Sequence, residues 1–332
     1  MSSSRQELPC LAFHRRGHST ALYTVPEEEN LVVALNAGDK EEVLRNKTIC
    51  PTARGLLLAR DPNTMATFLW RPEDGDQLIH LPPLEGLDDG VLMHSHCVLS
   101  DEPSAPGCVV LLVEGCDDTS MWYCHPGDDA WVKHEYDVGT ITLPCEYQGS
   151  KHLKIPICPI AACRGKFYFN SGPEDLGVLE FCPDPAFTSI AIDNSYESED
   201  DEEYSGGPNP GASVFLVESG DELYRVKLLY ATLSHDEIDE GFVQKMDFSA
   251  RRWRDVGDLC GRTFLLSSFY FGASCYGGGG ESGLRQDCVY SVNTYRKEMQ
   301  VFNVKEDTNE VHRLDEAPPA DKAFWLLPST GP

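Results

Sequence analysis

Basic residues are scarce in this chain. Its 332 residues include 27 Lys and Arg against 54 Asp and Glu, a formal net charge of −27. Binding the phosphates of nucleic acid requires clustered Lys and Arg, and so does adhesion to an anionic membrane surface. Neither is expected. No run comes near the roughly 18 apolar residues of a membrane helix, and the start, MSSSRQELPCLAFHRRGHS, lacks the continuous apolar stretch of a secretory signal. There is no C-x-x-C pair. The 13 cysteines are scattered from Cys10 to Cys288, and the nearest approach is Cys158 with Cys163. Such cysteines read as small buried apolar side chains of a reducing compartment, cytoplasm or nucleus. The sequon Asn46-Lys47-Thr48 then has no meaning.

Signatures of chemistry are also missing. Neither G-x-x-x-x-G-K-[ST] nor G-x-S-x-G occurs. Gly278-x-Gly280-x-x-Gly283 spells a dinucleotide fingerprint, but the fingerprint needs a strand before it, a helix opening on the third glycine and a βαβ frame; here the run leads into the strand Asp287–Ser291, so it reads as a flexible loop. His94-Ser95-His96-Cys97 is the densest set of metal-capable side chains. In a strand, His94 and His96 would share a face, but zinc needs a further ligand that the sequence does not nominate, and strand-edge histidines are the simpler reading. No catalytic, cofactor or metal residue is assigned. Helical periodicity over ten or more residues is absent; Val32 to Leu44 comes closest and suggests one short helix.

What the chain does contain is short strands in pairs. Leu56–Ala59 precedes Ala66–Trp70, and Cys108–Val113 precedes Ser120–Cys124. Lys166–Phe169, Ser213–Val217 and Asp287–Ser291 are likewise followed by second runs across gaps rich in Gly, Asp, Asn or Ser, the hairpin pattern. A further turn then leads to a third strand, as at His125–Asp129 before Ala130-Trp131-Val132. Leu57, Val110, Tyr168, Phe215 and Tyr290 recur at roughly 50 residues with one long interval, the period of kelch-type blades of four strands. A single blade cannot bury both faces, so blades must pack around an axis. The expectation is an all-β, kelch-like β-propeller of about six blades, with short helical pieces only in loops and the terminal segments closing the ring together. A pair of β-sandwiches is the alternative. Trp70, Trp122, Trp131, Trp253 and Trp325 mostly fall at equivalent strand positions and are expected between blades.

One segment breaks the pattern. Asp193 to Glu203 carries seven acids and no Lys or Arg, and Gly and Pro follow to Gly211. Residues 193–212 read as a disordered spacer by composition. Ser198, with Asp201 three residues on, also suits an acid-directed kinase. The expected organisation is a tail over 1–10, a propeller over 11–327 containing this loop, and a tail over 328–332.

Several motifs together are similar to a known family: Arg54-Gly55-Leu56-Leu57-Leu58, Phe68-Leu69-Trp70-Arg71-Pro72, Leu81-Pro82-Pro83-Leu84, His125-Pro126-Gly127-Asp128-Asp129-Ala130-Trp131, Gly165-Lys166-Phe167-Tyr168-Phe169, and Asp287-Cys288-Val289-Tyr290. They resemble the plant F-box-associated, KIB-type β-propeller family, over about Leu11 to about Leu327. The resemblance implies a kelch-like propeller. Full-length members carry an N-terminal F-box that docks on the Skp1 adaptor of a cullin-RING ubiquitin ligase, while the propeller recruits substrate. Here residues 1–10 do not read as an F-box, so docking on a Skp1-type adaptor is not expected from them, and Leu56 stands where Trp is common. The family offers no catalytic residues to carry over. The reading is a monomeric, non-catalytic protein-interaction module whose partner presents a basic surface. A propeller hydrolase, with acids or a metal converging in the central channel, and a folded relic without a ligase role stay open as alternatives.

Overall fold

The computed structural model describes residues 8–15, 20–24, 33–35, 43–74, 77–114, 119–145, 149–170, 174–193, 211–230, 238–277, 283–315 and 317–328. The first sheet joins β1 (Cys10–His14), β2 (Ala21–Thr24) and β3 (Val33–Leu35) to β27 (Lys322–Leu326), in the order β27-β1-β2-β3. Four more sheets are plain four-strand meanders. They are β4 (Thr48–Pro51) to β7 (Leu78–Leu81), with β5 (Leu57–Arg60) and β6 (Thr67–Trp70) between, and β8 (His96–Leu99), β9 (Val110–Val113), β10 (Ser120–Cys124) and β11 (Val132–Glu135). Next are β14 (Ile160–Cys163), β15 (Lys166–Phe169), β16 (Asp175–Phe181) and β17 (Pro185–Ala191), then β18 (Gly211–Ser219), β19 (Glu222–Tyr230), β20 (Ile238–Asp247) and β21 (Arg252–Asp255). The remaining large sheet has five strands: β22 (Arg262–Ser267), β23 (Phe271–Tyr276), β24 (Cys288–Asn293), β25 (Glu298–Asn303) and β26 (Thr308–Arg313), ordered β23-β22-β24-β25-β26 with β22 parallel to β24. β12 (Thr140–Cys145) and β13 (Gly149–Lys154) form a separate hairpin.

Regular four-stranded blades therefore number five, where the period suggested about six; the sixth sheet departs by its extra strand. Among the described residues, helix is confined to connections: helical residues Val43 and Leu44 ahead of β4, a 3-10 turn at Pro72–Asp74, and α1 (Asp89–His94) between β7 and β8. The short helix expected over Val32–Leu44 is corrected in its first part, because Val33–Leu35 is the outer strand β3, paired to β2, while Val43 and Leu44 at its end are helical. Pairing to a neighbouring strand overrides a weak helical pattern in so short a run. β18 begins at Gly211, so the spacer expected to reach 212 stops before it. The rest of the acidic block, 194–210, and glycines 278 and 280 lie outside the described residues.

Local chemistry explains the hairpins. Asn293 Oδ1 accepts from the amides of Tyr295 and Arg296, at 3.1 and 3.2 Å. Asn303 Oδ1 does the same for Lys305 and Glu306, and Asp247 Oδ1 for Ser249 and Ala250, all at 3.0 Å. These are Asx turns, in which a short polar side chain stands in for a backbone acceptor.

Six hydrophobic clusters lie between neighbouring sheets. Trp325 and Tyr290 belong to the cluster joining β27 to the five-stranded sheet; Trp70 and Phe324 sit between the first two sheets; Trp122 and Trp131 lie between the second and third. Trp253 packs on the edge of the cluster shared by β14–β17 and β18–β21. The tryptophans thus stand between blades, as expected. The ring closes through β27, which pairs with β1 from Cys10↔Leu326 to His14↔Lys322. At that seam Gly55 has φ +73, and a Cβ there would meet the Pro328 carbonyl at 3.0 Å, so glycine answers both a left-handed backbone and a close approach.

Candidate functional site

The inner strands β27, β4, β8, β14, β18 and β23 run in one direction, which gives the ring two unlike ends. Their last residues are tied by guanidinium groups. Arg54 donates to the Leu99 and Ser100 carbonyls, both at 3.4 Å, Arg164 to Asp221 O at 2.7 Å, and Arg262 to Ser219 O at 3.3 Å.

At the other end, where these strands begin, polar groups are buried beneath α1. Asp88 caps the helix by accepting from Gly90 N, and Ser95 closes it with its N–H on Leu92 O. Lys322, 3 % exposed, donates its amine to Met93 O at 3.0 Å, and Cys50 Sγ donates to Leu92 O at 2.9 Å. These contacts satisfy the orphan carbonyls of a helix end that water cannot reach. Burial lowers the Lys322 pKa, as the amine has lost its hydration. Arg60, 1 % exposed, donates to Leu84 O at 3.2 Å and Leu87 O at 2.7 Å and pairs with Asp89, which also accepts from Thr48 Oγ1.

His94 and His96, which would have shared a face in a strand, are separated by this helix end. His94 is the last residue of α1, with its ring 4.9 Å from Phe269, while His96 opens β8. They are not on one strand face, because the helix stop at Ser95 intervenes. His96 is buried, its Nδ1 has no partner, and desolvation, aided by the Lys322 charge, lowers its pKa to about 3. His14 Nδ1 lies 3.0 Å from Thr20 Oγ1, and burial holds its pKa at about 4. Among the described residues no three His, Cys, Asp or Glu are grouped to hold a metal. Of the eleven cysteines whose side chains are described, all free, seven are buried. Burial pushes the Cys163 and Cys275 thiols up to about 12, which makes them poor nucleophiles.

Between the inner strands, a pocket bordered by His96, Ile160, Glu218 and Gly272 has about 20 Å³ of accessible space, on the order of one water. The larger opening lies at the helix-bearing end, between β18–β19 and the five-stranded sheet. This cleft of about 320 Å³ is lined by Phe215, Tyr230, Phe269, Tyr270 and Tyr295, with Ser267 and other hydroxyl and amide groups between them. Among the described residues no charged side chain lines it. Tyr295 is 86 % exposed at the rim, whereas Ser267 is 3 % exposed and its Oγ has no partner. The β22–β23 turn places Phe269 and Tyr270 at φ 62 and 59, a left-handed backbone that bulky residues rarely adopt. Phe215 stood out in the sequence only as a strand anchor, and Phe269, Tyr270 and Tyr295 did not stand out at all. Leu265-Leu266-Ser267-Ser268-Phe269-Tyr270-Phe271 reads as one apolar run and hides a turn where Gly or Asn would have marked it.

A family model described as the KIB1-4 beta-propeller matches residues 22–303. The chain belongs to this KIB1-4 β-propeller family. No curated protein sequence matches this family member. Among solved structures, a chain of a nidogen/laminin complex aligns at TM-score 0.40 and 9 % identity, covering 93 % of this chain and 94 % of the other. A structure from a study of two prolyl endopeptidases aligns at TM-score 0.30 and 13 % identity, over 96 % of this chain and 50 % of that one. Likeness this low carries no weight; the fold rests on the sheets and on the KIB1-4 match. Among the described residues no helix is long and apolar enough to cross a membrane.

Proposed function

We propose that this KIB-type propeller is a non-catalytic protein-interaction module, a monomer of the cytoplasm or nucleus in which residues 11–327 act as one unit. Its partner docks on the end of the ring that carries α1. The uncharged aromatic cleft supports this reading: it is an open hollow of aromatic and hydroxyl groups on a chain of net charge −27. Aromatic pockets of this kind anchor partner side chains, and the acidic surplus favours a partner with a basic surface. The finer role, substrate recruitment for an F-box ubiquitin ligase, rests on family resemblance alone.

Affinity capture with the full chain, at low and moderate salt, tests the reading. Protein partners retained above background, and lost when Tyr295 and Phe215 are both replaced by Ala, are the expected result. Recovery of nothing above background at either salt would overturn it. Direct binding of purified Skp1 adaptor would add the ligase role; absence of binding would remove that role and leave the module.

A further inference from the structure

We propose that the cleft between β18–β19 and the five-stranded sheet receives an arginine side chain from a basic, extended segment of the partner. This rests on the reading that the partner docks at the helix-bearing end of the ring.

Three observations converge on a guanidinium. The walls are rich in aromatic rings, and a cation within about 6 Å of a ring centroid is attracted by the ring quadrupole. The chain itself stacks cations this way, arginines at the shortest distance: Arg225 lies 4.5 Å from the Trp253 ring centre, Arg164 5.4 Å from Phe248 and Arg262 5.9 Å from Tyr276, with Lys133 5.7 Å from Trp122. At the floor of the cleft, Ser267 Oγ is a buried acceptor without a donor. A guanidinium is flat, carries five N–H donors and is weakly hydrated, so it stacks on a ring and donates sideways at once. A lysine ammonium is compact and strongly hydrated and does this poorly. Charge supplies the approach. The molecule carries −27, and the block from Glu197 to Glu203 belongs to the segment that runs into β18 ahead of Ser213. A field of that sign raises the local concentration of cationic segments.

The turn shapes the cleft wall. Left-handed backbone is rare for bulky L-residues, and here two successive aromatic residues adopt it. Glycine or asparagine would relax the turn. Phe269 has a visible packing role, with its ring 4.9 Å from His94 and the Lys322 amine 5.4 Å from its centre. Tyr270 sits 6.4 Å from the Phe215 ring and lines the cleft, so the turn holds that ring at the cleft wall.

The test is fluorescence anisotropy on the full chain, with short labelled peptides alternating serine with arginine, lysine or glutamine at moderate salt. The arginine peptide is expected to bind at least about fivefold tighter than the lysine peptide, and the glutamine peptide weakest. Tyr270→Gly and Ser267→Ala should each weaken arginine-peptide binding about fivefold without lowering the melting temperature. The first relaxes a left-handed turn and the second removes an orphaned buried hydroxyl. Equal binding of the arginine and lysine peptides would reduce the effect to bulk charge and overturn the assignment. Unchanged arginine binding by both variants would overturn it too. If captured protein partners persist in Tyr270→Gly while arginine binding is absent or unaffected, the module reading stands and the arginine cleft falls. If the peptide behaves as expected but no protein partner is captured, the cleft stands and the module reading falls.

Discussion

The two ends of the ring solve the same problem with different chemistry. Each must satisfy polar groups where the inner strands start or stop. At the stop end, Arg54, Arg164 and Arg262 reach between sheets to backbone carbonyls close to solvent. At the start end, Arg60, Lys322, His14 and His96 are all buried. A partly hydrated staple is cheap to make and cheap to lose, because water replaces it. A buried polar group has been stripped of water and depends on its partners. The start end is thus held by a few desolvated contacts, and the neutral cleft opens beside it.

The largest test of this contrast is Arg60. Removing Asp89 leaves a guanidinium buried without its counter-charge, and breaking such a pair costs about 3–5 kcal/mol. Asp89→Ala should therefore lower the denaturation midpoint sharply in urea titrations, and Arg60→Ala comparably. A loss under about 1 kcal/mol would show that water already reaches the pair.

The next test is pH. His96 and His14 titrate at about 3 and about 4 in the folded chain, against 6.5 unperturbed. The unfolded chain therefore binds more protons between those values, and stability rises with pH through that window. Stability should be intact above about 6.5 and fall on acidification from there, by on the order of 3 kcal/mol for each histidine. Thermal melts from neutral to acid pH measure this. His96→Gln should flatten the acid slope; an unchanged slope would remove His96 as a cause.

The smallest effect belongs to the stop end. Arg164→Ala removes one exposed bond to Asp221 O and an exposed stacking contact on Phe248, and a cost of about 1 kcal/mol is expected. A larger loss in the same urea titration would mean that the two ends are equally dependent on their polar contacts, erasing the distinction.

Some of this was legible in the residues. The hairpins at Leu57, Val110, Tyr168, Phe215 and Tyr290 alternate strand formers with turn chemistry, and that signal is local. The tryptophans at repeat-equivalent positions pointed to the interfaces they occupy. The inner strands were harder. β4, β8 and β14 are four residues long and buried throughout, so they show no in–out alternation, and they contain Pro, His and Cys. His94-Ser95-His96 could not be split without knowing that α1 ends at His94. The start-end cleft was invisible because its turn is made by Phe269 and Tyr270.

By itself, the sequence determined the class of the fold, the repeating hairpin, the family and the acid surplus, because each depends on residues near one another or on composition. Tertiary structure decided the rest. It closed the ring by pairing Cys10–His14 with Lys322–Leu326, set Lys322 beneath a helix from the far side of the chain, and brought β18 against the five-stranded sheet to open the cleft. Those contacts join positions far apart in the chain, and which of them form is set by how six sheets share their hydrophobic faces around one axis.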